Sequence, residues 1–225
     1  SALLQALSAV KAGEAKHALV LASDHRKTKA VTAQELDFGD GAAALSVGTE
    51  NVIATYLGGA SLTVDFVDHF RGDTEEFDYN WEERWIRDEG FAKIIPRAVK
   101  AALENSGVSA EEIRHFVLPC SFGMKFVQQL AKRSGIDPDA ARDTLAANCG
   151  ETGAAHSLVM LIHTLQTEAK PGDKVLALQF GGGCDALVFE VTDKLASQAR
   201  KRGIAGSLKE RMEETNYMKL SLIHT

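Results

Sequence analysis

The stretch Leu36-Asp37-Phe38-Gly39-Asp40-Gly41-Ala42-Ala43-Ala44 decides how the rest of this chain is read. It sets two glycines and two aspartates in a turn, then enters a strand of small apolar residues ending near Val47. Gly39 and Gly41 permit positive φ and close backbone approach. The alanines let a neighbouring element press against the strand. Asp40, held between the glycines, reads as an acceptor for backbone hydrogen bonds within the turn.

Upstream of this turn, residues 1–10 (SALLQALSAV) form a helix, with Leu3, Leu4, Leu7 and Val10 at helical spacing. The helix has no leading cap or loop, so the chain reads as the later part of a longer protein or as one product of a cleavage. Its apolar face is expected to be enclosed by residues that this sequence lacks. Ala12-Gly13 stops the helix, residues 17–23 (HALVLAS) read as a buried strand, and residues 24–35 as a polar loop.

Downstream, residues 42–47 and 52–58 read as an antiparallel pair across the turn Gly48-Thr49-Glu50-Asn51. A charged, aromatic insertion follows over residues 65–89. Phe91, Ile94, Ile95, Ala98, Val99, Ala102 and Leu103 then mark one buried helical face. Ser109 to Glu112 fits a capping box, residues 115–119 a strand, 124–134 a helix, and 152–168 a long helix. Lys174 to Phe180 (KVLALQF) is a buried strand, Gly181-Gly182-Gly183 a sharp turn, and residues 186–191 a returning strand. Residues 194–225 are a polar tail with weak helical character. Alternating strands and helices predict an α/β protein with mixed sheets.

Composition narrows the function classes. The 225 residues, 45% hydrophobic and 25% charged, suit a globular protein with an ample core. A net charge of −6 argues against a dedicated nucleic-acid binder. No apolar run approaches the roughly 18 residues of a membrane span. The cysteines at 120, 149 and 184 lack the close pairing of a zinc knuckle or a disulfide framework, so no metal is expected and a reducing cytoplasm is the default.

Four segments, taken in order, resemble the thiolase superfamily, in particular its ketoacyl-synthase-III and hydroxymethylglutaryl-CoA-synthase branch. They are the Phe38-Gly39-Asp40-Gly41 turn, Leu118-Pro119-Cys120, Cys149-Gly150-Glu151-Thr152-Gly153-Ala154-Ala155-His156, and Phe180 to Gly183. The resemblance covers roughly residues 1–192, and the insertion with Trp81-Glu82-Glu83-Arg84 and Arg87 is similar to the hydroxymethylglutaryl-CoA-synthase type. It implies a thiolase-like fold layered α/β/α/β/α with mixed sheets, here an N-terminally incomplete portion. The implied division is 1–90, the remaining part of the N-terminal half; 91–192, the C-terminal half; and 193–225, a polar tail.

Family chemistry uses a cysteine nucleophile at a helix N-terminus, assisted by a His-Asn or His-His pair. By resemblance the nucleophile's segment would lie before Ser1. Cys120 stands where the family keeps its histidine. Glu151 stands at the asparagine position, or Asn148 does if the alignment slips by three.

Each candidate has a plain structural alternative. Cys120 is either an acyl carrier or a buried small hydrophobe, and with no cation nearby in sequence it should be a slow-reacting thiol. Glu151 is either a general base or a helix cap, and Asn148 either a thioester-binding amide or a cap. His156 is either a displaced base or a hydrogen-bonded helix residue. Gly182 and Gly183 form a tight hairpin and, by resemblance, an oxyanion turn. Arg84 and Arg87, with Trp81 and Trp85, would contact the phosphates or adenine of coenzyme A or cover a subunit interface. Cys120, Glu151 and Gly182 are expected to converge on one pocket.

The expected function is therefore an acyl-thioester condensing acyltransferase whose nucleophile comes from a missing N-terminal portion. The alternative is a catalytically silent thiolase-fold subunit. Acyl-CoA, or an acyl-carrier thioester, is expected as substrate, with no separate cofactor. The resemblance implies homo- or hetero-oligomers with thiolase-like chains and, as a further partner, a small zinc-ribbon/OB-fold protein.

Overall fold

The computed structural model describes residues 2–198 and 202–216. In chain order the elements begin with α1 (Ala2–Lys11), β1 (His17–Asp24), α2 (Ala33–Asp37), β2 (Gly41–Gly48) and β3 (Ala54–Thr63). Within the insertion lie β4 (His69–Phe70), β5 (Tyr79–Asn80) and α3 (Glu83–Trp85), which runs through a π-helical turn (Ile86–Phe91) into α4 (Ala92–Ser106). The remaining elements are β6 (Ile113–Val117), α5 (Met124–Arg133), α6 (Ala146–Cys149), α7 (His156–Thr167), β7 (Lys174–Gly181), β8 (Gly183–Val191), α8 (Leu195–Gln198) and α9 (Gly203–Lys209).

The central sheet has the order β3-β8-β7-β6, with β6 and β7 parallel and the other neighbours antiparallel. Strand alternation sorts its side chains into two cores. Leu176, Leu178 and Phe180 of β7 face α4 and α5, packing with Ile95, Val99, Val127 and Leu130. Val175 and Ala177 face the opposite way, toward Val159, Met160 and Leu165 of α7. Burial on both faces is why β7 reads as an unbroken apolar run.

Helices α1 and α7 then meet a second, two-stranded sheet, in which β1 pairs antiparallel with β2 from His17↔Gly48 to Asp24↔Gly41. The layers of the described residues thus run helix, sheet, helix, sheet. The expected antiparallel pair of residues 42–47 and 52–58 does not form. β2 pairs with β1, whereas β3 pairs with β8 from Ala54↔Val191 to Thr63↔Gly183. β2 buries Ala43 and Val47 beside α7, while Ala60 and Leu62 of β3 pack on the α4 side. Pairing with β8 takes β3 into the central sheet, where it touches both cores, so tertiary pairing overrides the local turn signal.

Three further readings change. The 152–168 helix opens as a 3-10 turn (Gly153–Ala155), and only from His156 is it α-helical. Residues 24–35 include the start of α2. The tail is not polar throughout, since Leu195, Ile204 and Leu208 pack against the α7 core; its residues 199–201 and 217–225 lie outside the described residues. The capping box at Ser109 and Glu112 is formed.

Leu3 and Val10 of α1 are buried, so the uncovered apolar surface is not the first helix. It is the outer face of β1, where Leu19 is 64% and Leu21 67% exposed. A two-stranded sheet with one bare apolar face and an unpaired edge invites association. The isolated chain is therefore expected to self-associate at micromolar concentration, and the pair Leu19→Thr and Leu21→Thr to reduce that association without lowering the unfolding midpoint. Sedimentation velocity checks this; a monodisperse unsubstituted monomer would contradict it.

Candidate functional site

The site is built where the turn at 37–41 presses against residues 149–152. The Gly39 N–H donates to the Glu151 carbonyl at 3.0 Å, and the Glu151 N–H donates to the Asp37 carbonyl at 2.7 Å. A Cβ at Gly39 would stand 1.9 Å from the Cys149 carbonyl oxygen, and one at Gly41 2.5 Å from the Thr152 Cβ. Neither glycine has positive φ, contrary to the sequence reading. They are required for close approach alone.

Arg26, just beyond β1, locks this contact. Its side chain is only 3% exposed. Nε donates to Asp78 Oδ2 at 3.0 Å, a terminal nitrogen pairs with the Glu151 carboxylate, and Cζ lies 3.4 Å from the Phe38 ring centroid. The Arg26 backbone N–H donates to Asp40 Oδ1 at 3.1 Å, so Asp40 accepts across the fold rather than within its own turn. The other Glu151 oxygen accepts from the Gly153 N–H at 3.0 Å, capping the 3-10 turn. Glu151 is thus both a cap and half of an ion pair, and its oxygens are engaged.

His156 is buried, with 1% exposure. The Thr152 N–H donates to its Nδ1 at 2.9 Å, which leaves Nε2 to carry the proton and donate to the Thr144 carbonyl at 2.7 Å. This fixes the neutral Nε2–H tautomer. Burial lowers its pKa; the Glu151 charge and the Thr144 hydrogen bond work against that, and the Arg26 charge adds to it.

Cys120 follows β6 and is buried, and desolvation pushes its thiol up to about 12. Cys120, Ser121, Thr144, Ala147, Glu151 and His156 share the wall of one cavity of about 250 Å³. Three of the sequence candidates therefore meet there. Gly182 does not line it: its carbonyl accepts from the Val64 N–H at 3.2 Å in the β7–β8 hairpin. At Gly183, φ is +130° and a Cβ would lie 1.8 Å from the Leu62 carbonyl oxygen, so tight packing explains that glycine.

Asn148 also lies off the cavity wall and caps no helix. It is within α6, where its side-chain and backbone oxygens both accept from Arg211 at 2.8 Å. Arg84 and Arg87 stand apart on the insertion, with Arg87 paired to Asp88 at 2.8 Å and Trp85 stacked on Phe66. Among the described residues no cluster of His, Cys, Asp and Glu is placed to hold a metal. Nor is any helix among them long and apolar enough to cross a membrane. Sequence reasoning missed Arg26 and Asp78, whose partners lie 125 and 52 residues away along the chain from Arg26 and carry no local signature.

The depressed pKa of His156 has a definite sign. The unfolded chain takes up this proton near the ordinary value of 6.5, whereas the folded chain does so only at lower pH. Its contribution to stability is complete above that value and is lost as pH falls toward the folded value. Between about pH 7.5 and 5.5 the unsubstituted chain should lose more stability than His156→Gln, measured by urea unfolding. Parallel losses in the two proteins would contradict the assignment.

The family described as 3-oxoacyl-[acyl-carrier-protein (ACP)] synthase III C terminal matches residues 103–190. Hydroxymethylglutaryl-CoA synthase of Methanopyrus kandleri is 26% identical over 212 residues, covering 93% of this chain and 59% of that protein. The corresponding protein of Methanosphaera stadtmanae is 28% identical, over 83% of this chain and 54% of its own length. This chain thus spans a little over half the length of these curated relatives. In solved structures, 3-oxoacyl-[acyl-carrier-protein] synthase III from Aquifex aeolicus superposes with a TM-score of 0.71 at 21% identity, over 84% of this chain and 62% of that one. MvaS in complex with 3-hydroxy-3-methylglutaryl coenzyme A does so with a TM-score of 0.75 at 18% identity, over 98% of this chain and 63% of that one. With a thiolase-like fold, and with these relatives agreeing along most of its length, the chain is similar to the ketoacyl-synthase-III and hydroxymethylglutaryl-CoA-synthase-like branch of the thiolase superfamily.

Proposed function

We propose that this chain serves acyl-thioester condensation as a thiolase-fold element that shapes and supports a site without supplying its nucleophile. One observation carries the reading: the three sequence candidates that line the cavity, Cys120, Glu151 and His156, are already engaged or suppressed. The Cys120 thiol, pushed up to about 12 by burial, is protonated at neutral pH and has no adjacent cation to draw out a thiolate. Both ring nitrogens of His156 are committed to the backbone, and the Glu151 carboxylate to Arg26 and Gly153.

A general base must be free to reach the proton it abstracts. Neither His156 nor Glu151 is. The acyl-carrying cysteine would then come from sequence outside these 225 residues, in the same polypeptide or in a companion thiolase-like chain. Relatives named hydroxymethylglutaryl-CoA synthase, and a solved relative holding a coenzyme A thioester, support coenzyme A thioesters as the substrate class.

The retained cavity favours a second, compatible role. Its walls set Leu36 and the methyl groups of Ala146 and Ala147 beside the Ser121 hydroxyl and the Asp37 and Glu151 carboxylates, a mixed lining with room for a short acyl group. In that case these residues hold the acyl chain while a cysteine from outside does the chemistry.

Incubation of the chain with acetyl-CoA near neutral pH, followed by intact-mass analysis, is expected to leave it unmodified. Stoichiometric acylation mapped to Cys120 would overturn the proposal.

A further inference from the structure

The wall of the cavity formed by α6 is held in an unusual way. The helix begins after Leu145, a buried non-glycine residue with a φ of +59°, and ends at Gly150, with a φ of +68°. Left-handed conformation at a branched apolar residue is disfavoured and persists only where its surroundings impose it. Four residues are thus bracketed by two backbone reversals, and two of them, Ala146 and Ala147, line the cavity with nothing larger than methyl groups.

The hydrogen bonds of this segment turn inward. The Asn148 and Cys149 N–H groups donate to the Leu145 carbonyl, and the Gly150 N–H to the Ala146 carbonyl. The Cys149 thiol lies within hydrogen-bond reach of the Leu145 and Gly150 carbonyls, and the residue also packs against the α7 core. Residues 146–150 keep these hydrogen bonds if they move as a block, a motion that also shifts Cys149 and Gly150 against Gly39. Beyond Gly150 the chain is pinned, because both backbone groups of Glu151 are bonded to the 37–39 turn.

One polar tie from elsewhere among the described residues holds α6 down. Arg211 donates from one terminal nitrogen to the Asn148 backbone and side-chain oxygens, both at 2.8 Å. Arg211 is itself anchored by α9, which docks on the α7 core through Ile204 and Leu208. The Ala205 N–H donates to Gln166 Oε1 at 3.1 Å, and a Cβ at Gly203 would collide with the Gln166 side chain at 1.9 Å. The segment after β8 thus reaches from the back of α7 to the outside of the cavity wall.

We infer that α6 is a hinged wall of the cavity, turning at Leu145 and Gly150, and that the C-terminal segment latches it closed through Arg211. Docking of residues 203–211 then governs entry to the cavity, and anything that lifts α9 opens it. This holds whether or not the chain supplies a nucleophile, because it concerns access rather than chemistry.

Cys120 reports on the wall, since it lies inside the cavity, while Cys184 is equally buried in β8 and does not line it. The full chain and its Arg211→Ala and Arg211→Lys variants would be labelled with N-ethylmaleimide, and each cysteine followed by peptide mass analysis. Loss of a charge-assisted hydrogen bond pair is expected to raise the Cys120 rate about five- to tenfold in Arg211→Ala and less in Arg211→Lys. The Cys184 rate should stay unchanged, and amide exchange at Asn148, Cys149 and Gly150 should quicken with the Cys120 rate. An unchanged Cys120 rate would overturn the latch, as would a parallel rise at Cys184, which would mean general loosening instead.

Discussion

The fold around the cavity depends on one buried cation. Arg26 joins the end of β1 to the insertion through Asp78, to the 37–41 turn through the Phe38 ring, and to the cavity wall through Glu151. A guanidinium withdrawn from water costs several kcal/mol unless its partners are close and well oriented. Here two carboxylates and a ring face supply that compensation. The glycines at 39 and 41 belong to the same device: with any side chain there, the turn would collide with Cys149 and Thr152, and Glu151 would be held away from Arg26.

This arrangement also sets the chemistry. A carboxylate whose two oxygens are held by a buried arginine and a backbone N–H is not free to reach a substrate proton. His156, one turn along, is held neutral by the Thr152 N–H and the Thr144 carbonyl. Cys120, walled by apolar neighbours, keeps its proton. All three side chains are thus held by the fold around the cavity.

How much of this was legible depends on the range of the interactions. The elements α4, α5 and β7 could be read from periodicity, because their apolar faces are regular and their ends carry glycine or turn residues. The turn at 37–41 was legible as a place of close packing, although not in its backbone conformation, since φ is not encoded by glycine itself. The partners of β2 and β3 were not legible. A local turn at 48–51 suggested a hairpin, and only the distant partners β1 and β8 decide against it. Cys120 and Glu151 could be placed together through the resemblance of their motifs, whereas Gly182, expected beside them, lies off the cavity. Arg26 could not, because a lone arginine after a strand looks like a solvated charge until its distant partners fold around it. The latch at Arg211 was hidden for the same reason.

The most direct test is a double-mutant cycle on Arg26 and Glu151, read by urea unfolding of Arg26→Met, Glu151→Gln and the double variant. If the pair is the tie described, each single change should destabilise the chain and the two should fail to add, leaving a coupling of about 2 kcal/mol. Additive changes, with coupling near zero, would show that Glu151 does not depend on Arg26 and would return its carboxylate to the candidates for proton transfer.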